Sequence, residues 1–507
     1  MSTEIELKYL IDGGDVVSQF TQLLNQRQYT YTQAARQLSN TYFDTSDRML
    51  RQYDFGLRVR KADDYTEQTI KTAGIVVGGL HQRPEYNVAI DDSTPELALF
   101  PADIWPTTTD VEQLQANLQA IFSTNFYRTT WQVNVGDSVV EVAFDQGIIE
   151  SKGHSKGQSK GQILPINEIE LELVSGERQA IFTLAKELCQ AFTVTPGRQS
   201  KAARGYLLWQ GAIHRSTTDE ISFQVPLNPE LSVEKAMVLG FEHGLSCLQQ
   251  AIGQSLAAAE LTHVKQVFEA LSFIQQGLYL HQNLIASTTF NLLESLLKES
   301  LESLSWLETA IHINDLTLKS GNYRKKLEYS NQLVSTLKIE RSQFPSEEVI
   351  QHELMSAKFN LLQLHLLQFI LDPVVKPVEK TRSLTEHAKT KLSNNLTAIK
   401  EICGNKMQLS AQEYLVIQQH LFSSLHTGSW FGALYEQSSR TEYRRTWLDV
   451  FHGIEELATL NLLQQQLNAI EQSSQKLNRW LNTKVDNLLQ VINQSYQAAV
   501  KVEPYWL

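Results

Sequence analysis

The sequence predicts a multidomain α+β chain, with an N-terminal half built mostly of β-strands and a C-terminal half that is all helix. Three observations carry this. At 507 residues the chain is longer than one ordinary domain, and two or three are expected. Residues 1–210 read mainly in period-two alternation, with turn-like Gly, Asp and Asn between segments. Beyond residue 230 the apolar residues recur instead at three- and four-residue steps.

In chain order, the alternating segments lie near 3–11, 38–44, 55–61, 66–71, 82–90, 126–135, 138–146 and 163–174, with helical patterns near 15–26 and 177–192. Roughly eight strands are enough to close a small barrel, whose interior can hold one small ligand. The stretch "SKGHSKGQSKGQ", 151–162, has no apolar residue and reads as a surface loop between two strands; a basic lid over an anionic substrate is the alternative. Within 211–230, "STTDE", Pro226 and Pro229 mark a linker. Residues 231–507 then carry amphipathic helices long enough for bundles. Leu292, Leu293, Leu296, Leu297, Leu301, Leu304 and Leu307 form one apolar stripe. Leu463, Leu467, Ile470, Leu477, Leu481, Val485, Leu488 and Ile492 form another.

The composition, 42% hydrophobic and 20% charged, is that of a globular protein. No run of about eighteen apolar residues suggests a membrane span, and the N-terminus enters a strand without the pattern of a secretory signal. Cys189, Cys247 and Cys403 are widely spaced and lack metal-ligand spacing, which fits a reducing cytoplasm. The net charge of −12 argues against nucleic acid or an anionic membrane as partner. The first 220 residues hold 20 basic and 28 acidic groups, and the remainder 24 and 28. An acidic half with clustered Arg and Lys suggests metal cations together with an anionic ligand.

The clusters lie on strand faces. In "EIELKY", 4–9, Glu4, Glu6 and Lys8 point one way and Ile5, Leu7 and Tyr9 the other. Alone, such a face is ordinarily solvated. The pattern repeats, however: Arg58 with Arg60, Thr69 with Lys71, Arg83 with Glu85, Glu141 with Asp145, and Glu168 with Glu170 and Glu172 in "EIELEL". Arg128, Lys201 and Arg204 add further cations. A barrel could turn these faces out to solvent or inward to a tunnel. Burying unpaired like charges costs several kcal/mol each, so the inward arrangement requires compensating ligands. Guanidinium forks match phosphate oxygens, and clustered carboxylates match hard divalent ions such as Mg²⁺ or Mn²⁺. A metal-bound polyphosphate meets both needs, but spacing alone leaves both arrangements open.

Glu4-x-Glu6-x-Lys8 resembles the signature of the CYTH superfamily, the triphosphate tunnel metalloenzymes. The resemblance continues in order through Arg58-x-Arg60, Thr69-x-Lys71, Arg83-Pro84-Glu85, Arg128, Glu141 with Asp145, Glu168-x-Glu170 and "SKAARG" with Lys201 and Arg204. "GGLHQRPEYNVA", 78–89, and "SKAARGY", 200–206, look most like the two-domain bacterial inorganic triphosphatases, in which a CYTH domain precedes a helical CHAD domain. The closing "EPYWL" and the domain order agree.

The resemblance implies that residues 1–210 form an eight-stranded antiparallel barrel open at both ends. Lys8, Arg58, Arg60, Lys71, Arg83, Arg128, Lys201 and Arg204 would hold a triphosphate. Glu4, Glu6, Glu85, Asp145, Glu168 and Glu170, with Glu172 as a more distant candidate, would hold two divalent ions, Mg²⁺ or Mn²⁺, and Glu141 would support them. The catalytic set would be Glu4, Glu6, Lys8, Glu85 and Asp145. The implied reaction is hydrolysis of inorganic tripolyphosphate to pyrophosphate and phosphate, with a thiamine or nucleoside triphosphatase or a class IV adenylate cyclase as alternatives. No Ser or Cys nucleophile motif is evident, in keeping with an activated water. Trp131, Tyr42 and Phe126 could stack a base, but read more simply as barrel core. Pro84 departs from a closed sheet and suggests a bulge or strand start.

CHAD domains are associated with polyphosphate binding, a second class of function. Their expected His-x-x-Arg-Val-x-x-Arg-Arg pattern falls on His263, Gln266, Val267, Ala270 and Leu271, so the three basic positions are lost. His243, His281, His365, His420, His426 and His452 read as packed or surface histidines, and the basic stretch 324–326 as solvated surface. Weak or no polyphosphate binding is therefore expected of residues 221–507.

Overall fold

The computed structural model describes residues 2–11, 13–62, 65–151, 162–211, 220–318, 323–327, 331–376, 383–404, 406, 408–469 and 475–507. Most of the repeat at 151–162, residues 212–219 of the expected linker and Ile470 lie outside the described residues.

Ten strands arise from the N-terminal half: β1 Ser2–Ile11, β2 Tyr31–Asp44, β3 Gly56–Lys61, β4 Thr66–Lys71, β5 Ile75–Val77, β6 Leu80–Ala89, β7 Gln119–Val135, β8 Ser138–Ser151, β9 Gln162–Ser175 and β10 Val194–Pro196. The sheet runs β10-β1-β9-β8-β7-β2-β3-β4-β6-β5, and β1 also pairs with β6. That last pairing closes eight strands, β1, β9, β8, β7, β2, β3, β4 and β6, into an antiparallel barrel. Short β5 and β10 prolong the pairing of β6 and β1 beyond the closed ring.

The strand patterns expected from the sequence all fall on strands, but three strands are longer. β2 begins at Tyr31 rather than near 38, because its first residues, through Gln37, are largely exposed and carry no alternation. Pro84 lies inside β6 rather than at a strand start. Its carbonyl accepts from Thr72 N at 3.1 Å, just past the end of β4, so its missing N–H falls where that neighbour has stopped.

Five helices accompany the barrel: α1 Val16–Gln26, α2 Met49–Gln52, α3 Val111–Ala116, α4 Gln179–Ala191 and α5 Lys201–Gln210. α1 starts at Asp15, whose side chain accepts from Ser18 N at 3.1 Å, and buries Val16, Phe20 and Leu24. The Phe20 ring meets Trp131 edge-on at 5.0 Å. Trp131 therefore belongs to the outer packing, as do Leu57 and Ile70, which pack with Phe55, Phe100 and Trp105. One end of the barrel interior is apolar. Leu38, Tyr42, Phe122, Phe126, Ile149 and Ile166 cluster there with Tyr206, Leu208 and Trp209 of α5. Gly205 lets α5 close on the barrel, since a Cβ there would lie 2.2 Å from the Phe122 ring.

The remaining helices are α6 Val233–Ala257, α7 Leu261–Leu280, α8 Ser287–Glu302, α9 Leu307–Thr317, α10 Arg324–Leu327, α11 Asn331–Arg341, α12 Glu347–Leu354, α13 Ala357–Leu371, α14 Leu384–Cys403, α15 Ala411–Phe431, α16 Gln437–Asn468 and α17 Gln475–Lys501. The stripe from Leu292 to Leu307 is split between α8 and the start of α9; Leu293, Leu297, Leu304 and Leu307 are buried while Leu292 is exposed. At the centre of the helical half, the Trp430 indole lies between Gly240 of α6 and Gly277 of α7 and donates to Phe273 O at 3.0 Å.

The described chain forms two compact units, Met1–Glu220 with Met355–Leu367, and Ile221–Leu354 with Gln368–Leu507. Most of α13 thus packs with the barrel unit, where Asn360 Nδ2 donates to Val194 O at 2.7 Å. Helical periodicity alone gives no sign of that affiliation. Among the described residues one helical stretch, Glu347–Leu371, is long and apolar enough to cross a membrane, with 56% of its apolar window buried inside the molecule. A buried helix of a globular protein passes the same test.

Candidate active site in the barrel lumen

The charged strand faces turn inward. Glu4, Glu6, Lys8, Arg58, Arg60, Lys71, Arg83, Glu85, Arg128, Asp145, Glu168, Glu170, Glu172, Lys201 and Arg204 are all buried or half-buried, and none is exposed. Closure of the ring makes this possible, because one face of every strand then looks into a common interior. The registers set the neighbours. Glu6 lies opposite Glu172, Lys8 opposite Glu170, and Asp145 opposite both Arg128 and Glu168. Arg83 lies opposite Glu4, and Lys71 opposite Glu85.

Two groups result. In the first, Asp145, Glu168 and Glu170 offer carboxylate oxygens within 4.8 Å of one another. Lys8 Nζ stands 2.7 Å from Glu170 and 3.4 Å from Glu168. Arg128 grips Asp145 through two bonds of 2.6 Å and reaches Glu170 at 2.7 Å. From α5, Lys201 Nζ meets Asp145 at 2.6 Å, Glu170 at 2.9 Å and also Glu168, while Arg204 pairs with Glu168. Lys201 Nζ also lies 5.3 Å from the centre of the Phe126 ring, which lines the site rather than offering a stacking face for a base.

The second group gathers Glu4, Glu85 and Glu172 around Lys71. Lys71 pairs with Glu4 and lies 3.4 Å from Glu85; Arg58 lies 3.5 Å from Glu85. Glu6 stands between the groups, 4.0 Å from Lys8. Arg83 is directed to Asp54 at 3.5 Å. Glu141 lies opposite Glu172 and Gln132, half-buried beside the second group's wall.

The groups differ in protonation. Burial works against every charge here, but the surrounding cations hold Asp145 and Glu170 below the usual carboxylate range. Against burial, Glu168 and Glu170 hold Lys8 above its usual range, and Asp145 chiefly does the same for Arg128 and Lys201. In the second group, burial pushes Glu4 up to about 7; Lys71 opposes the rise, and Glu6 and Glu85 add to it. Burial and then Glu4 push Glu172 up to about 8. Glu85, against burial, is held down at about 2 by Lys71 and Arg58.

The donor set fits hard divalent cations, being carboxylate oxygen throughout, with neither His nor Cys in the convergent cluster. The cations fit an anionic ligand. Nε of Arg58, Arg83 and Arg204 is buried without a hydrogen-bond acceptor. Buried guanidinium N–H groups left without partners are costly, and phosphate oxygens would satisfy them.

Sequence reasoning missed several supporting residues. Asp44, fully buried, accepts from Thr45 N, Leu50 N and Arg51 N, and from the Tyr206 hydroxyl at 2.7 Å. Asn40, 1% exposed, accepts from Arg60 Nε. Asn40, Tyr42 and Asp44 alternate along "SNTYFD", so the period-two rule that found the charged rows would have placed these polar groups inward too.

In the helical half, Ala270 and Leu271, two of the three lost basic positions, are core residues, as is the retained Val267. His263 Nδ1 lies 2.8 Å from Ala258 O, and His243 Nε2 2.8 Å from Ser222 O. Burial brings His281 and His426 down to about 3, so both are neutral packed rings; His420 and His452 are exposed.

Residues 2–206 match the CYTH domain family. A relative from Haemophilus influenzae named inorganic triphosphatase is 39% identical over 219 residues, which cover 41% of this chain and 55% of that protein. Among solved structures, a Hippeastrum protein described as an adenylyl cyclase candidate with a dominant triphosphatase activity resembles the chain at 15% identity and a TM-score of 0.28, covering 41% of this chain and 94% of that one. The CHAD domain of the plant Ricinus communis resembles it at 13% identity and a TM-score of 0.40, covering 57% and 98%.

Proposed function

We propose that the CYTH domain, residues 1–210, hydrolyses inorganic tripolyphosphate to pyrophosphate and phosphate inside the barrel. The observation that supports this most is the lumen itself: eight Lys and Arg side chains interleaved with seven carboxylates, none exposed, with three buried guanidinium donors awaiting acceptors. The curated relative of that name adds to the reading.

Lys8, Arg58, Arg60, Lys71, Arg83, Arg128, Lys201 and Arg204 would neutralise the phosphate oxygens and fix the chain of phosphates in line. Charge neutralisation matters most at the bridging oxygen that leaves, where negative charge develops as the bond breaks. Glu4, Glu6, Glu85, Asp145, Glu168 and Glu170, with Glu172 beside them, are the residues that would hold two divalent ions, Mg²⁺ or Mn²⁺. Such ions, when bound, supply charge neutralisation and a more acidic water. Residues 231–507, apart from the stretch 355–367 that packs with the barrel unit, would form a CHAD-like domain with at most weak polyphosphate contact.

The test is phosphate release by purified protein from tripolyphosphate, ATP and thiamine triphosphate, each with Mg²⁺ or Mn²⁺ and with a chelator. Tripolyphosphate should be fastest, and only with metal. If it is the slowest of the three, the assignment to an inorganic substrate is wrong.

A further inference from the structure

Seven of the eight luminal cations face a carboxylate within 4.0 Å: Lys8, Arg58, Lys71, Arg83, Arg128, Lys201 and Arg204. Arg60 does not. Among the described residues it makes no ion pair, although Glu67 lies opposite it on β4. Its Nε donates instead to a neutral acceptor, Asn40 Oδ1, at 2.8 Å.

That acceptor is itself fixed. Asn40 Nδ2 donates to Thr124 Oγ1 at 2.9 Å, which commits the amide nitrogen to β7 and leaves the oxygen facing β3. The three residues lie directly across from one another on adjacent strands, Arg60 on β3, Asn40 on β2 and Thr124 on β7. Arg60 is 9% exposed, Asn40 1% and Thr124 0%. Such a buried row holds one rotamer of the arginine without side-chain entropy left to lose.

An aspartate at position 40 would make a stronger bond to Arg60, yet it would also cancel the charge. An amide orients the guanidinium and leaves the charge intact. The local field agrees: burial, with Arg58 and Arg128 close by, lowers Arg60 to about 10, so a further anion here is stabilised by three cations together.

We propose that Asn40, locked by Thr124, is a positioning residue that aims Arg60 into the lumen with its charge uncommitted, for the second terminal phosphate of an inorganic tripolyphosphate. An esterified triphosphate lacks that second terminus: its α-phosphate carries one charge fewer and a bulky substituent. Arg60 so held favours the inorganic over the esterified substrate. This rests on the function proposed above.

The experiment compares full-length wild type with Asn40→Asp, Asn40→Ala and Thr124→Val. KM and kcat are measured for tripolyphosphate and ATP with Mg²⁺, and metal-free tripolyphosphate binding by calorimetry. Asn40→Asp should raise the tripolyphosphate KM about tenfold or more with kcat within about twofold, flatten its salt dependence and leave the ATP KM nearly unchanged. Asn40→Ala and Thr124→Val should raise it severalfold, by releasing Arg60 rather than neutralising it. Equal tripolyphosphate KM and affinity in wild type and Asn40→Asp would overturn the proposal. Should Asn40→Asp fail to fold, an unchanged KM in Thr124→Val overturns it instead. A wild type that hydrolyses and binds ATP but not tripolyphosphate overturns both this and the functional reading. A wild type active on tripolyphosphate with indifferent variants overturns this alone.

Discussion

Tyr206 donates its hydroxyl hydrogen to Asp44 Oδ2 at 2.7 Å, and this bond ties α5 to the end of β2. Asp44 is fully buried and already caps three backbone N–H groups around α2, so its position is fixed independently of Tyr206. Five residues earlier on α5 is Lys201, with Arg204 between, and both reach the carboxylates of the first group. Tyr206→Phe removes one buried hydrogen bond and should cost about 1–3 kcal/mol of stability. It should also raise KM for tripolyphosphate more than it lowers kcat. Thermal melting and steady-state kinetics check this; a variant with wild-type KM would leave the bond a purely structural one.

Glu4→Gln with Glu6→Gln removes two carboxylates from β1 while keeping their size. Hydrolysis should be lost and the barrel should remain folded. Tripolyphosphate with Mg²⁺ should raise the melting temperature of wild type, as any ligand of the folded state does, and raise that of the double variant less. Unchanged turnover in the double variant would remove these residues from the site.

The raised carboxyl of Glu172 makes a prediction with a definite sign. Its value is about 8 in the folded protein against 4.5 for a free glutamate. The folded state therefore keeps a proton that the unfolded chain releases, and stability from this group, full below pH 4.5, is lost as pH rises through 8. Gln has no proton to release. Glu172→Gln should thus match wild type near pH 5 and exceed it increasingly up to about pH 8.5. Urea unfolding with a chelator present measures the margin; a constant margin across that range contradicts the assignment.

In the helical half, Gly277→Ala would place a Cβ 1.9 Å from the Trp430 indole, and Gly240 packs so closely on the same ring that a Cβ there too would lie 1.9 Å away, which leaves the indole little room to shift. Overpacking of this kind costs about 1–3 kcal/mol. The unfolding midpoint followed by tryptophan fluorescence should fall accordingly, and a neutral effect would mean that α6 and α7 separate easily.

Alternation along the strands made the charged rows legible, since Glu4, Glu6 and Lys8 announce a face whatever lies beyond it. Which way the face points is not legible, because inward and outward barrels share one pattern; the burial of the charged rows inside the closed ring decides it. The start of β2 was hidden because its residues are exposed on both faces. Helix α5 was hidden because "SKAARGYLLWQ" is short and its apolar residues pack into the barrel end rather than along an amphipathic stripe. Asn40 and Asp44 were overlooked for another reason. Their work consists of holding other groups, and only coordinates show which groups those are.

The inward-facing charge has a consequence for how such a protein can change over time. On the barrel strands, the residues that face the lumen and the residues that pack the outer shell occupy alternate positions: Glu6 beside Leu7, Glu170 beside Leu171, Arg58 beside Leu57. Substitution in one set leaves the other in place, so the chemistry of the tunnel is free to drift toward new anions while the shell that keeps the barrel folded stays as it was.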